Sequence, residues 1–461
     1  MLNLPAEFTL KYQKLLGKEQ AAIMFEAMAQ PSKKAFRLNP LKFSQKVSYN
    51  CEEPVPEIEN AYYGQVAGND PEWVSGTVYS QDPSAMFPAS LMAVKPGDKV
   101  LDLCAAPGGK STALGEQLAG SGLLVANEIS ATRAKILREN IERWGITNCL
   151  ITSEDPADLA PQFPQFFDKI LVDAPCSGEG MFRKNPDAVN YWSQDYVLVC
   201  QKRQQEILTQ AVKMLKPGGE LVYSTCTYAP EEDEQIVSWL MTEFGFSVEA
   251  TNLHSAKISH GRPEWGDNQP ALKETLRFWP QDDLGEGQFA AKLKLPGSIE
   301  QRPVKEKKHK KHRSKLLLTK EQTELAASVL AEFDLPQALL NWREEVRVSQ
   351  DHVFIPALKT SNLHLKIINN GLELGVLKKN RFEPGHQLAM ALSQVKQERI
   401  VDLNDDDYVA YLHGETVRVK TDLRGFVLVS AHQLIFSFGK VTGNGVLKNF
   451  YPKGLRTLKK G

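Results

Sequence analysis

Lys99-Val100-Leu101-Asp102-Leu103, followed by Cys104-Ala105-Ala106-Pro107-Gly108-Gly109-Lys110-Ser111-Thr112, is the stretch that decides the fold. The first five residues read as a buried strand and 113–118 as helical, so the glycine pair falls in a strand-to-helix turn. Glycines there let the backbone approach a ligand closely, and the free N–H groups of a helix start favour an anionic or polar group. The spacing is not that of the dinucleotide loop G-x-G-x-x-G, because only Gly108 and Gly109 are present. It is not the phosphate loop G-x-x-x-x-G-K either, since Cys104 stands where the first glycine would be.

The context on either side strengthens the reading. The strand-like run Leu123-Leu124-Val125-Ala126-Asn127 ends at Glu128, where a nucleotide-binding fold places an acid on ribose hydroxyls. Further strand candidates at 149–152, 169–172 and 219–223 alternate with helical stretches at 130–144 and 196–215, and 285–293 reads as a last strand. That alternation predicts a mostly parallel, doubly wound α/β sheet. Glu128, Asp155 and Asp173 would then line one rim of it, with Cys176 and Cys226 in the loops after two of its strands. Open sheets of this kind bind ligands outside the carboxyl ends of their strands, so the two thiols are placed to face one pocket.

Around this core the chain is long and its charge uneven. At 461 residues it exceeds a single core. Hydrophobic content of 42% and charged content of 24% are those of a globular protein. No apolar run reaches the roughly 18 residues of a membrane span, and the amino terminus lacks the unbroken apolar core of a signal peptide, so a cytoplasmic location is expected. The six cysteines are scattered, without a CxxC pair or a histidine cluster, which argues against a disulfide framework or a metal site. The net charge of −1 hides a stretch from 305 to 315 in which nearly every residue is Lys, Arg or His, and an excess of Lys and Arg over the last fifty residues, which hints at a polyanionic partner.

The expected division is a small α/β unit over 1–75, the sheet domain over 76–297, a basic linker at 298–316, a second small α/β unit at 317–400 and a β-rich module at 401–461. Residues 5–28 read as helical and 319–342 likewise, while 425–429 reads as a buried strand. Arg37 and Asn39 read either as nucleic-acid contacts or as a solvated strand end. Arg183 and Lys184 read either as phosphate grips or as an exposed charged turn.

Three segments in order, DLCAAPGGKS (102–111), DAPCSGEG (173–180) and YSTCTY (223–228), closely resemble the Sun/Nop family of RNA cytosine-5 methyltransferases. The length, the GEGQF segment at 285–289 and the added carboxyl-terminal part resemble its bacterial RsmF-type branch, which acts on 16S ribosomal RNA. The resemblance implies a Rossmann-like class I methyltransferase domain carrying a small amino-terminal RNA-contacting domain and a final PUA-like RNA-binding domain. It implies a monomer that uses S-adenosylmethionine and acts on 16S rRNA or the small ribosomal subunit, with no metal. Cys104, Ala105, Ala106, Pro107, Gly108, Gly109 and Lys110 would form the cofactor loop. Glu128 would hold the ribose hydroxyls, Asp155 (or Glu154) would lie near the adenine, and Asp173 would face the methionine end and the target base.

The chemistry explains those residue types. Carbon 5 of cytosine is a poor nucleophile, and a thiolate adding at carbon 6 converts the ring to an enamine able to take a methyl group. Thiolate is also a competent leaving group in the elimination that follows. By the resemblance Cys226 attacks, Asp173 stabilises charge near ring nitrogen 3, and Cys176 helps release the product. In DNA cytosine-5 methyltransferases the cysteine of a Pro-Cys pair attacks, and that analogy would give the role to Cys176. For Cys51, Cys149 and Cys200 the expected role is that of small core residues, and for Cys104 that of packing in the loop. Asp102 reads equally as a loop-shaping acid or a ligand, and Lys110 as a loop residue or a solvated helix start. A tRNA-specific relative and a non-catalytic RNA-binding assembly factor are the rival functions.

Overall fold

The computed structural model describes residues 3–44, 46–297 and 317–457. The basic linker expected at 298–316 lies outside the described residues.

The central sheet is built on five parallel strands, β4 (Lys99–Asp102), β5 (Leu123–Asn127), β6 (Cys149–Thr152), β7 (Phe167–Asp173) and β8 (Leu215–Thr225), numbered after three strands of the amino-terminal sheet given below. Their order is β8-β7-β4-β5-β6, so the chain leaves β4 on one side and returns on the other. The reversal opens a crevice at the carboxyl ends of β4 and β7, where Cys104 and Asp173 lie. Alternate residues of these strands are buried on opposite faces: Val100, Leu124, Ile151 and Leu171 in one core, Leu101, Val125, Leu150 and Ile170 in the other. Burial on both sides is why the strands read as unbroken apolar runs. Beyond β8 the sheet continues antiparallel through Gln288–Lys294, Leu276–Phe278 and Ser259–His260.

The amino-terminal part differs from expectation in two ways. The stretch 5–28 forms two helices, Ala6–Leu16 and Lys18–Met28, because Gly17 adopts φ 83° between them. The first sheet, β1 (Ala35–Leu38) between β2 (Ala61–Tyr63) and β3 (Val78–Gln81), runs past residue 75. The two helices bury Phe8, Tyr12, Met24 and Met28 against Phe182, Trp192, Tyr228 and Trp279, so this unit packs on the loops that carry the cysteines.

The carboxyl-terminal part also departs from a row of separate units. The helix expected over 319–342 stops at Leu330. It opens with a capping box between Thr319 and Gln322, and Asp334-Leu335-Pro336 then prevents its continuation. A four-stranded antiparallel sheet follows, but Ile367–Asn370 leaves it to pair with β6 and extend the central sheet. The last sheet, from Ile400–Leu403 to Val446–Asn449, has five strands and includes the predicted strand as Gly425–Ala431. Among the described residues no helix is long and apolar enough to cross a membrane.

Candidate active site

The loop after β7 and the loop after β8 are fastened to each other before they make any site. Ala174 N–H donates to the Ser224 carbonyl (2.8 Å) and Gly180 N–H to the Cys226 carbonyl (2.9 Å). The hydroxyls of Ser177 and Thr227 are 2.8 Å apart, and Glu232 accepts from the Ser177 N–H and from Gln204. Glu179, fully buried, accepts from the Tyr12 hydroxyl, the Trp192 indole (2.8 Å) and the Tyr228 N–H (3.0 Å). Satisfied buried acids of this kind hold a loop in one position. The result is that Cys176 Sγ and Cys226 Sγ, fifty residues apart in sequence, stand 3.4 Å apart.

Both thiols line a cavity of about 810 Å3 at the carboxyl ends of β4 and β7. The hydrogen bond with Cys226, together with burial, pushes the Cys176 thiol well up from its ordinary value. Asp173 lies in the same wall and is held from three sides: Lys110 Nζ at 2.7 Å, Ser224 Oγ at 2.7 Å and Gln288 Nε2 at 3.1 Å. Burial alone would lower the Lys110 ammonium, but the Asp173 carboxylate outweighs it and the net shift is upward. Lys110 is therefore an ion-pair partner inside the site and not a solvated helix start.

The rest of the expected set divides. Cys104, Ala106, Glu128 and Asp155 line the cavity; Ala105, Pro107, Gly108, Gly109 and Lys110 form the turn behind it. Gly108 takes φ 119° and sits so near the helix Ala131–Trp144 that a Cβ would meet Leu137 at 3.2 Å. The buried Glu128 accepts from the Ser130 N–H and pairs with Arg133, which keeps its carboxylate at the rim. Asp155 is exposed to the cavity while Glu154 turns away to bond the backbone and ammonium of Lys366. Cys104 is held protonated, since burial pushes its thiol far up. Asp102 shapes the loop: it accepts from Ser111 Oγ at 2.6 Å, its other oxygen has no partner, and burial raises it to about 7.

Arg37 and Asn39 overturn both of their expected readings. Arg37 is 3% exposed, bonded to Glu116 (2.9 Å), the Gly109 carbonyl (2.9 Å) and Thr112 Oγ1 (2.6 Å), while Asn39 bonds the Gly76 and Trp144 carbonyls. Arg37 docks the amino-terminal sheet on the helix Gly109–Leu118, and Asn39 ties the end of β1 to the last residue of the helix Ala131–Trp144. Arg183 is an internal partner of Glu286, whereas Lys184 pairs with Asp82 but stays exposed, in line with the charged-turn reading. One face of the helix Gln194–Met214, carrying Arg203, Glu206, Ile207 and Gln210, was missed as a cavity wall. Its i, i+3, i+4, i+7 spacing was a usable signal, because those positions share a helix face distinct from the core stripe. All six cysteines are free, and among the described residues no cluster of His, Cys, Asp and Glu suits a metal ion.

A switch-point sheet of this order with an acid, a glycine turn and paired cysteine loops at its rim defines a Rossmann-like methyltransferase. Family models match along the chain: 16S rRNA methyltransferase RsmB/F over 89–294, the RsmF amino-terminal domain over 4–83, the RsmF first carboxyl-terminal domain over 332–392 and the RsmF PUA domain over 398–457. Ribosomal RNA small subunit methyltransferase F of Vibrio vulnificus is 31% identical over 98% of this chain and 97% of its own. The protein of that name from Shewanella piezotolerans is 31% identical over 93% of this chain and 92% of its own. A crystal structure of a methyltransferase homolog protein from Pyrococcus horikoshii covers 64% of this chain and 96% of its own, at 29% identity and a TM-score of 0.56. The chain belongs to the RsmF family of 16S rRNA methyltransferases.

Proposed function

We propose that the protein transfers a methyl group from S-adenosylmethionine to carbon 5 of a cytosine in 16S ribosomal RNA, through a covalent bond between Cys226 and the base. The observation that carries this reading is the pair of thiols 3.4 Å apart in one cavity with Asp173 in its wall. The names of the full-length relatives support ribosomal RNA as the substrate.

The residues present fit the cofactor. A buried carboxylate, Glu128, stands at the rim where ribose hydroxyls would donate to it. Asp155 offers a second acceptor beside it for the adenine, and the turn 104–110 brings backbone against the methionine part. When bound, the cofactor supplies an electrophilic methyl group. Cys226 adds as thiolate to carbon 6, making the ring an enamine nucleophilic at carbon 5. Asp173, fixed by Lys110, Ser224 and Gln288, steadies the charge that develops on the ring. Cys176, whose thiol is pushed up beside Cys226, assists release: the carbon 5 proton passes to water, its bonding pair re-forms the ring double bond, the carbon 6–sulfur bond breaks, and the departing Cys226 thiolate accepts a hydrogen bond from the Cys176 S–H. The target base leaves its stack to reach the cavity. The amino-terminal unit and the last sheet are assigned to RNA contact.

Cys226→Ala is expected to abolish methyl transfer and adduct formation, and Cys176→Ala to accumulate a covalent protein–RNA complex visible on a denaturing gel. An adduct formed by Cys226→Ala, with normal turnover by Cys176→Ala, would transfer the attacking role to Cys176. Mapping 5-methylcytosine in 16S and transfer RNA, with and without the gene, tests the substrate; a mark lost only from transfer RNA would reassign it.

A further inference from the structure

A second cleft, of about 510 Å3, opens where three parts of the chain meet: 42–44 together with Lys46, 393–400 and 433–435. Its lining includes Lys42, Lys46 and Lys396 and no carboxylate. Lys46 and Lys396 are exposed, and Phe43 beside them is 61% exposed although its N–H is pinned to the Ser393 carbonyl (3.0 Å). Lys42 forms the floor, its ammonium bonded to Ser393 Oγ at 2.8 Å. Burial, and then the nearby Arg143 guanidinium, lower it to about 7, so the positive charge of the cleft rests mainly on Lys46 and Lys396. A cleft lined by two exposed lysines and no carboxylate attracts an anion, and an exposed aromatic ring at its mouth suits a nucleobase.

The position of the cleft agrees with that ligand. The helix Ala131–Trp144 runs between the two sites: Arg133 lines the catalytic cavity, and the Gly145 carbonyl after its last turn accepts from Gln394 beside the cleft. At 1.5 Å per residue the separation along the axis is roughly 17 Å. A few nucleotides of extended RNA span that distance.

We propose that this cleft is a second RNA-binding site, seating a phosphate of the substrate on Lys46 and Lys396 with the adjoining base against Phe43. The inference rests on the reading that the substrate is RNA. The test uses the full chain, the double variant Lys46→Ala/Lys396→Ala, its Arg/Arg counterpart and Phe43→Ala. Two RNAs are compared: a 16S segment extending on both sides of the target, and a short oligonucleotide that fills only the catalytic cavity.

For the long RNA the alanine pair is expected to raise Kd about ten-fold and to reduce the dependence of log Kd on log salt by about 0.7 for each phosphate that is no longer neutralised. The arginine pair restores both, Phe43→Ala weakens binding without changing the salt slope, and methylation of the short oligonucleotide stays at the wild-type rate. An unchanged Kd and slope overturns the proposal, and so does an equal loss on the short oligonucleotide. Inorganic phosphate that shields Lys46 and Lys396 from acetylation better than the long RNA does would make this a free-anion site and also overturns it. Absence of methyl transfer to any RNA by the wild type would remove the enzymatic reading, while the binding comparison still judges the cleft.

Discussion

Gly180 leaves no room for a side chain, and that makes it a direct probe of how the loop carrying Cys226 is positioned. Its N–H donates to the Cys226 carbonyl at 2.9 Å. A Cβ at this position would meet that carbonyl oxygen at 2.8 Å, with the Gly287 and Glu286 carbonyls at 3.1 and 3.3 Å. Ordinary contact begins near 3.4 Å, so in Gly180→Ala the Cys226 carbonyl must retreat by about 0.6 Å. Misplacing a reacting group by 1 Å costs on the order of 100-fold in rate, so this shift predicts a loss of roughly ten-fold. Overpacking would destabilise by about 1–3 kcal/mol. The assay is single-turnover methyl transfer to a 16S RNA segment, with cofactor affinity by calorimetry and thermal unfolding as controls. The expected outcome is a slower transfer step at unchanged cofactor affinity, with a melt lowered by a few degrees. A folded variant with wild-type transfer rate and melt would refute the argument that this contact sets the position of Cys226.

Arg37→Met removes the ionic partner of the half-buried Glu116, which keeps only the Trp144 indole N–H, and frees the Gly109 carbonyl and the Thr112 hydroxyl, so chemical denaturation should show a loss of about 3 kcal/mol. Asp102 is raised from 3.8 to about 7 by burial against the opposing Ser111 hydrogen bond, so between these values the folded state binds more protons than the unfolded chain. Its contribution makes stability fall as pH rises from about 4 to 7, and Asp102→Asn should flatten that part of the profile measured by urea unfolding. Glu128→Gln should weaken S-adenosylmethionine binding about ten-fold in calorimetry, worth roughly 1.4 kcal/mol, while leaving RNA affinity unchanged.

Much of the fold was legible because its signals are local. The strands at 99–103, 123–127 and 169–172 are apolar runs buried on both faces, and the glycines at 108 and 109 mark the turn between β4 and its helix. The elements that misled are those whose partners are far away. Arg37 and Asn39 look like a solvated strand end until the helix Gly109–Leu118 and the carbonyl of Trp144 arrive to bury them. Ile367–Asn370 carries no mark of its allegiance to β6, because strand pairing is chosen by which edge is open and not by the strand itself. The turn of Glu154 away from the cavity likewise depends on Lys366, more than two hundred residues away.

By itself, then, the amino-acid sequence determined the doubly wound sheet, the turn at 104–110 and the presence of acids and cysteines at strand ends, because periodicity and turn residues act over a few neighbours. Only the tertiary structure decided what those residues are to one another. The 3.4 Å approach of Cys176 to Cys226, the grip of Lys110, Ser224 and Gln288 on Asp173, and the cavity wall from the helix Gln194–Met214 all join residues remote in the chain. Such contacts depend on how β4, β7 and β8 order themselves in the sheet, and that order follows from the packing of the whole core.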